Sequence, residues 1–200
     1  MHWGALISAM ALVVVTSLAG CTEDEPAAAP TQARTPTAAS QPSTPESPTT
    51  EPIPTETPPP LPPEAQPADV DGAAAFIRHY FDVVNYAYRT GDVAAAKLIR
   101  AEECAACNDI ELQIARGYEG GGRIRGGLAT VTDIAVTPGD LSTHAEALVV
   151  LSVEQANYLS GDGSVGESIP AAPELVLTVL LQKGAAGWMT LEWGGDDGSG

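Results

Sequence analysis

The sequence DGAAAFIRHYFDVVNYAYRT, residues 71–90, carries the strongest structural signal in this chain of 200 residues. Its apolar side chains recur every three or four positions, which is the spacing of one face of an α-helix. They are Phe76, Ile77, Tyr80, Phe81, Val84, Ala87 and Tyr88. Asp71 stands before them as the expected N-cap. We therefore predict a long amphipathic helix whose apolar face packs onto a folded domain.

Two more helices are predicted after this one. The stretch 90–92 (TGD) indicates the end of the first helix and the cap of a second, which would run over about 93–101. Asn108 is the expected cap of a third helix, because Glu111 follows it by three residues as in a capping box.

Beyond three glycines at 120–122 the pattern changes to short runs rich in Val, Leu, Thr and Trp. The predicted strands are 128–136, 145–153, 175–181 and 188–193, with a long loop at 155–173 that could hold one more. Helices followed by strands are typical of an α+β domain. Over residues 70–194 we expect three N-terminal helices packed on a curved antiparallel sheet of four to five strands, and a flexible tail at 195–200.

The first 21 residues have the pattern of an exported precursor. Residues 5–19 are almost wholly apolar but fall short of the roughly 20 that a transmembrane helix needs. They lead into Leu-Ala-Gly-Cys, which resembles a bacterial lipobox, although no Lys or Arg precedes them. We predict a signal peptide at 1–20 and a lipid-modified N-terminus at Cys21, which would hold the protein on the outer face of the cell membrane.

Residues 21–69 are predicted to be a disordered linker. Between Pro26 and Pro67 lie 14 of the 17 prolines, and no aromatic residue occurs there. Such a segment cannot bury enough apolar surface to offset its ordering entropy. We expect a spacer that lifts the domain into the cell wall, with a proline-rich docking ligand as the alternative.

The charge distribution argues against nucleic acid as a partner. The formal net charge is −17, from 9 basic and 26 acidic residues, and no basic cluster opposes it. Such a field repels phosphate backbones. The expected partners are the membrane, through lipid on Cys21, and a cell-envelope protein or a small apolar ligand.

Cys104 and Cys107, with two residues between them, are predicted to form a disulfide, because an exported protein folds in an oxidising compartment. The alternatives are a redox-active pair and a metal site. Acidic neighbours disfavour the thiolate that redox chemistry needs, and zinc would want a second pair of ligands. No metal or cofactor is therefore expected.

Several polar residues are candidates for chemistry, but none receives a catalytic assignment. His79, Asp82 and Asn85 share one side of the first helix and are expected to form a solvated face, with base and orienting groups at a cavity mouth as the alternative. Four polar strand residues could face a pocket: Asp133, His144, Glu146 and Glu192. The glycine-rich stretch 120–127 lacks the spacing of a phosphate loop, although its Arg123 and Arg125 could face an anionic partner.

Together, several of these motifs resemble an actinobacterial lipoprotein family that is known only as a domain of unknown function. They are the helix 76–88, the stretches 90–92 and 104–107, Tyr118, and the glycines and Arg123 that follow, so the resemblance covers about residues 68–136. Three helices before a curved sheet also resemble the cone fold of nuclear transport factor two and its SnoaL-like relatives. This second likeness rests on element order and carries no chemistry.

The function we expect is that of a membrane-anchored, non-catalytic binding or assembly module in the cell envelope. The alternative is a cone-fold pocket enzyme that performs proton transfer or hydration on a small apolar substrate. A deep pocket with two convergent titratable groups would favour the enzyme, and a filled pocket with an exposed aromatic patch would favour the binding module.

Overall fold

The computed structural model describes residues 56–195. The predicted signal peptide, Cys21 and the linker as far as residue 55 lie outside the described residues, as do residues 196–200 of the predicted tail. Among these residues three α-helices come before the strands: α1 (Val70–Thr90), α2 (Ala94–Lys97) and α3 (Ala105–Tyr118). Seven strands follow: β1 (Arg123–Gly126), β2 (Ala129–Val136), β3 (His144–Val153), β4 (Ala156–Leu159), β5 (Val165–Ile169), β6 (Ala172–Gly184) and β7 (Gly187–Gly195).

The predicted α+β order is confirmed, but the sheet prediction needs correction. The strands form two antiparallel sheets, one with the order β1-β4-β5 and one with the order β2-β3-β6-β7. The second sheet contains all four predicted strands. The first arises from the predicted loop and the glycine-rich stretch. Its β5 is almost entirely exposed, so it shows none of the apolar alternation by which a strand is recognised.

Helix α1 begins two residues earlier than predicted. Asp69 is its N-cap, accepting a hydrogen bond of 2.7 Å from the Gly72 N–H, and Asp71 lies in the first turn. The helix ends at Gly91, whose φ of 78° is a left-handed conformation that glycine adopts without strain. The apolar stripe of α1 contributes the centre of the core, where Phe76 and Ile77 are each 1% exposed.

Helix α2 is shorter than predicted because the chain after it pairs with the edge of the larger sheet. The Thr190 N–H donates to the Ile99 carbonyl at 3.0 Å, and the Ala101 N–H donates to the Thr190 carbonyl at 2.7 Å. These hydrogen bonds require an extended segment at 99–101, so the helix stops at Lys97.

Helix α3 starts at Ala105, and the capping box predicted at Asn108 is wrong. Cys104 is the N-cap, and its Sγ accepts a hydrogen bond of 3.2 Å from the Cys107 N–H. Asn108 therefore lies within the first turn, and Glu111 is free to make the ion pair described below.

The core lies between α1 and the inner face of the larger sheet. Alternate residues of β3 and β6 are buried in the same hydrophobic cluster as the apolar stripe of α1, namely Ala145, Ala147, Val149 and Leu151 from β3 and Leu177, Val179 and Leu181 from β6. Each is at most 6% exposed. No helix among residues 56–195 is both long enough and apolar enough to cross a membrane.

The last part of the predicted disordered linker packs against this domain. Within it, Pro63–Ala65 forms a 3-10 helix that packs on α1, and Ala65 is only 1% exposed. The carbonyl of Pro67 accepts a hydrogen bond of 2.8 Å from the Trp188 indole. The linker boundary predicted at residue 69 is therefore too late, and we refer to residues 56–67 as the strap.

Candidate functional site

A buried ion pair holds the α2–α3 connection against α3. Both oxygens of Glu111 accept hydrogen bonds from Arg100, at 3.0 Å from Nε and 2.8 Å from Nη2. The remaining guanidinium donors reach the side chain of Asn108 and the carbonyls of Ala101 and Glu102. Because the hydrogen bonds with Glu111 favour the charged form, they raise the pKa of Arg100. All the polar groups of this pair are engaged within the protein.

The aromatic residues beside this pair are also engaged with one another. The Trp193 indole N–H donates to the Tyr80 hydroxyl at 3.1 Å. Burial raises the pKa of Tyr80 well above its usual range, because the phenolate would lose its hydration. Tyr80 therefore stays a neutral, buried hydroxyl.

Glu192, one of the predicted polar strand residues, sits at the N-terminus of α3. Its carboxylate accepts hydrogen bonds from the backbone N–H groups of Ala105 at 3.1 Å and Ala106 at 3.2 Å. These are first-turn donors that have no partner within the helix, and a carboxylate there also interacts favourably with the helix dipole. Glu192 thus has a structural role as a cap supplied by β7.

The other predicted strand residues do not converge with Glu192. Asp133 is exposed on β2. His144 and Glu146, both exposed on β3, line a cavity of about 280 Å³ with Asp140 and Leu141 of the β2–β3 connection. The structure therefore brings His144 and Glu146 together at the sheet's end and leaves Asp133 apart from them.

A groove follows α3 on the side that faces β7, and we call it the α3 groove. It encloses about 510 Å³. Its apolar lining comes from Ile110, Leu112 and Trp193, and its polar lining from Asp109, Gln113 and Arg116, with Ala106 at one end. Leu112 is 53% exposed. Polar and apolar side chains therefore contribute about equally to the surface of the groove.

The α3 groove continues toward the smaller sheet. A second cavity of about 380 Å³ shares Gln113 and Arg116 with it and adds Gly117, Tyr158 and Glu167. Gly117 has a packing role here, since a side chain at this position would collide with Ile124. The two cavities flank Arg116, so this cation is available to a ligand that lies in either one.

The groove was not predicted from the sequence. Leu112 and Arg116 are exposed on α3 and four residues apart, which places them on one helix face. That spacing is the sequence feature from which an exposed binding face on α3 could have been predicted. Trp193 belongs to a distant strand, so its position beside α3 follows from the tertiary fold.

The polar residues on α1 do not form the predicted cluster. Asp82 is exposed, whereas His79 is buried at 5% exposure. Asn85 makes two hydrogen bonds of 2.8 Å with the backbone of Ala129, one to its N–H and one to its carbonyl, and so fixes the start of β2. The solvated face expected here is therefore wrong for His79, and Asn85 has a structural role.

We predict that His79 makes stability fall below neutral pH. Burial lowers its pKa from the ordinary 6.5, and the charge of Asp82 only partly offsets this. The unfolded chain then binds a proton more readily than the folded one, so stability is complete above the unfolded pKa and declines as pH falls from about 6.5 toward the lowered value. Urea unfolding between pH 8 and 5 would measure this slope.

The matched control for this pH effect is His79→Gln, which removes the titrating ring. Its unfolding free energy should vary less with pH than that of the wild type. An NMR titration that places the His79 pKa at or above 6.5 would contradict the prediction, because the sign of the slope would then reverse.

The glycine-rich stretch is a connection to a strand. Gly126 and Gly127 have φ values of 75° and 76°, and a side chain on Gly126 would collide with the carbonyl of Gln155. Arg123 and Arg125 both belong to β1, and Arg125 is exposed. The absence of a following helix agrees with the conclusion that this is no phosphate loop.

The predicted disulfide is present between Cys104 and Cys107, with their Cα atoms 5.3 Å apart. Both cysteines are fully buried at the start of α3. Replacing both by Ala should lower the unfolding free energy by about 2 kcal/mol, because the closed loop is short. Thermal unfolding with and without reductant would measure this. A wild-type domain in which two free thiols titrate after unfolding without reductant would contradict the assignment.

The fold is thus an α+β domain with a ligand-sized groove, and sequence comparison gives its family. The model of a family of unknown function, DUF6318, matches residues 41–174, and the chain belongs to that family. The resemblance to a domain of unknown function, expected over about residues 68–136, is confirmed, and the match extends beyond that range in both directions. No curated protein sequence matches the chain.

Three solved structures are similar to part of the chain. The intermembrane-space region of the chloroplast protein ARC6 is 13% identical, with a TM-score of 0.46 over 64% of this chain and 95% of that one. A proposed polyketide cyclase from Xanthomonas campestris is 18% identical, with a TM-score of 0.34 over 60% and 86%. An NTF2-like protein from Novosphingobium aromaticivorans is 18% identical, with a TM-score of 0.36 over 66% and 92%. Likeness at this level carries no inference about activity.

Proposed function

We propose that this protein is an extracytoplasmic lipoprotein, anchored to the membrane through Cys21, whose domain is a non-catalytic binding module. The ligand site is the α3 groove. The observation that carries the proposal is the groove's composition, with an indole and two aliphatic side chains beside one accessible guanidinium. The actinobacterial origin and the position in the cell wall are parts of the same proposal.

The hydrogen bonds of the buried titratable side chains near the groove support a binding role. Tyr80, Arg100 and Glu111 are buried titratable groups close to Trp193 and α3, and each is hydrogen-bonded to another protein group. General acid–base catalysis needs a titratable group that is free to reach a substrate proton. These buried groups are not free to do so, and the exposed Asp109 and Arg116 of the lining can hold a ligand by charge.

The lining also indicates the chemistry of the ligand. Trp193 and Ile110 provide an apolar floor, and Arg116 provides a cation between the two cavities. A small apolar molecule that carries an anionic group fits this arrangement, as does an apolar side chain of a cell-envelope protein with a carboxylate near it.

The groove can be tested with 8-anilinonaphthalene-1-sulfonate, an apolar probe that carries one negative charge. We expect saturable one-to-one binding by the folded domain. Leu112→Asp and Arg116→Glu should each weaken it at least about tenfold, which is 1.4 kcal/mol. Leu98→Asp is the control, because Leu98 is 81% exposed and lies outside the groove. Equal binding by all four proteins would refute the site.

The anchor has a separate test. In the native host, the chain should partition with membranes, and Cys21→Ser should release it or leave it uncleaved. The reason is that stable attachment requires the acyl chains that the thiol carries. Mass spectrometry that finds a mature N-terminus at another residue would refute the anchor without affecting the groove.

A further inference from the structure

The strap, residues 56–67, is fixed at both of its ends by side chains of the folded domain. At one end Glu56 forms an ion pair with Arg89 at 2.8 Å. At the other, the Lys183 ammonium donates to the Gln66 carbonyl at 2.6 Å, and the Trp188 indole donates to the Pro67 carbonyl at 2.8 Å. Arg89 is at the C-terminal end of α1, so the strap runs along the helix from there back to its start.

The strap follows one particular face of α1. Near its C-terminal end the carbonyl of Pro67 lies so close to Gly72 that a side chain there would collide with it. Along the helix from Gly72, the 100° rotation per residue places His79, Val83 and Tyr86 on the same face. All three are buried, at 5%, 2% and 4% exposure, yet Val83 and Tyr86 lie outside the core that α1 forms with the sheets.

The strap has the composition of a polyproline II ligand. Residues 57–63 read TPPPLPP, and Pro62 has φ −70° and ψ 146°, which are polyproline II values. Such segments lose little conformational entropy on binding and are recognised by aromatic side chains that donate hydrogen bonds to their carbonyls. Trp188 donates instead to the Pro67 carbonyl, just after the 3-10 turn that ends this segment, and the Lys183 ammonium stands 5.3 Å from the Trp188 ring centre.

We propose that this face of α1 is an acceptor site for a proline-rich strap, and that two copies of the chain can exchange their straps. Every strap contact described above, apart from the 3-10 turns within Pro63–Ala65, is with a side chain or surface of residues 70–195. What tethers a strap to its own copy is the short covalent connection 67–69. Exchange between copies replaces each contact by an identical one, which makes it a low-cost route to a dimer.

The effective concentration decides when exchange occurs. A strap tethered by a few residues competes at an effective concentration on the order of millimolar, so the wild-type chain keeps its own strap at lower concentrations. If the strap of one copy cannot dock, the acceptor face of that copy is open. This open face should bind the strap of a second copy whose own acceptor face is blocked. This reasoning is independent of the α3 groove and of the lipid anchor.

The test is complementation between two full-length variants. Ala65→Asp places a charge at the buried point of the strap and leaves the acceptor face intact. Val83→Glu blocks the face and leaves the strap intact. In sedimentation equilibrium we expect each variant alone to be monomeric, and an equimolar mixture to form a one-to-one dimer at least about tenfold more tightly than either self-associates.

The control carries both substitutions in one chain and should not associate with either single variant. Two variants that fold, as shown by near-ultraviolet circular dichroism, but stay monomeric in the mixture up to about 1 mM would overturn the proposal.

A second experiment covers the case in which a variant fails to fold. Glu56→Gln removes one exposed anchor on the strap itself and leaves the acceptor side chains intact, so the fold should persist. A synthetic peptide of residues 56–68 should then bind and change the fluorescence of Trp188, whereas the same peptide with alanine in place of proline should not. Absence of binding by the folded variant at several times the roughly millimolar effective concentration would also overturn the proposal.

Discussion

Replacing Glu111 by Ala is expected to lower the free energy of unfolding by about 3 kcal/mol. The change removes both acceptors of the Arg100 bidentate pair, whose side chains are 9% and 6% exposed. The guanidinium would then remain buried without its counter-charge, and this costs more than the pair itself contributes. Equilibrium urea unfolding of the wild type and the variant would measure the difference.

Two controls separate a buried pair from an exposed one. The double variant Arg100→Met with Glu111→Leu removes both charges and should recover most of the stability. Arg89→Gln breaks an ion pair whose side chains are 39% and 35% exposed, and it should leave the unfolding midpoint nearly unchanged. A loss below about 1 kcal/mol for Glu111→Ala would show that water reaches Arg100 in the variant.

Phe76→Ala is expected to cost about 4 kcal/mol, the largest effect of a single substitution that we anticipate. Phe76 is 1% exposed at the centre of the core formed by α1 and the larger sheet. The loss combines the transfer of the phenyl ring to water in the unfolded state with the cavity that the rigid surroundings leave. Thermal and urea unfolding should agree on its size.

Leu112→Ala is the matched control for the core substitution. Its side chain is 53% exposed on α3, so the change should alter the unfolding free energy by less than about 0.5 kcal/mol. A core variant and a surface variant with similar losses would contradict the packing described here.

Local patterns in the sequence were sufficient for the elements that bury one apolar stripe. The spacing of Phe76, Tyr80 and Val84 predicts α1, and alternation predicts the strands of the larger sheet, because in both cases burial selects the residue types on one face. The disulfide was also predictable, since three residues of separation bring the two cysteines within bonding distance at a helix start.

The elements without such burial were not predictable. Strand β5 is exposed and β1 is only four residues long, so neither shows the alternation by which strands are recognised. The strap contains prolines whose composition is typical of disorder, yet Ala65 is buried against the domain. The composition of the strap indicates how much apolar surface it can bury by itself. It contains no information about the surface of the folded domain against which the strap packs.

By itself, the sequence determined that the helices precede the strands of the larger sheet, which apolar faces form the core, and the spacing of the disulfide. Each depends on residues near one another in the chain, and periodicity records these directly. Only the tertiary structure decided that Arg100 pairs with Glu111, that His79 is buried, and that Trp193 lies beside α3. These depend on where distant segments meet, and a charge, an imidazole or an indole has the same local pattern whether its partner is water or protein.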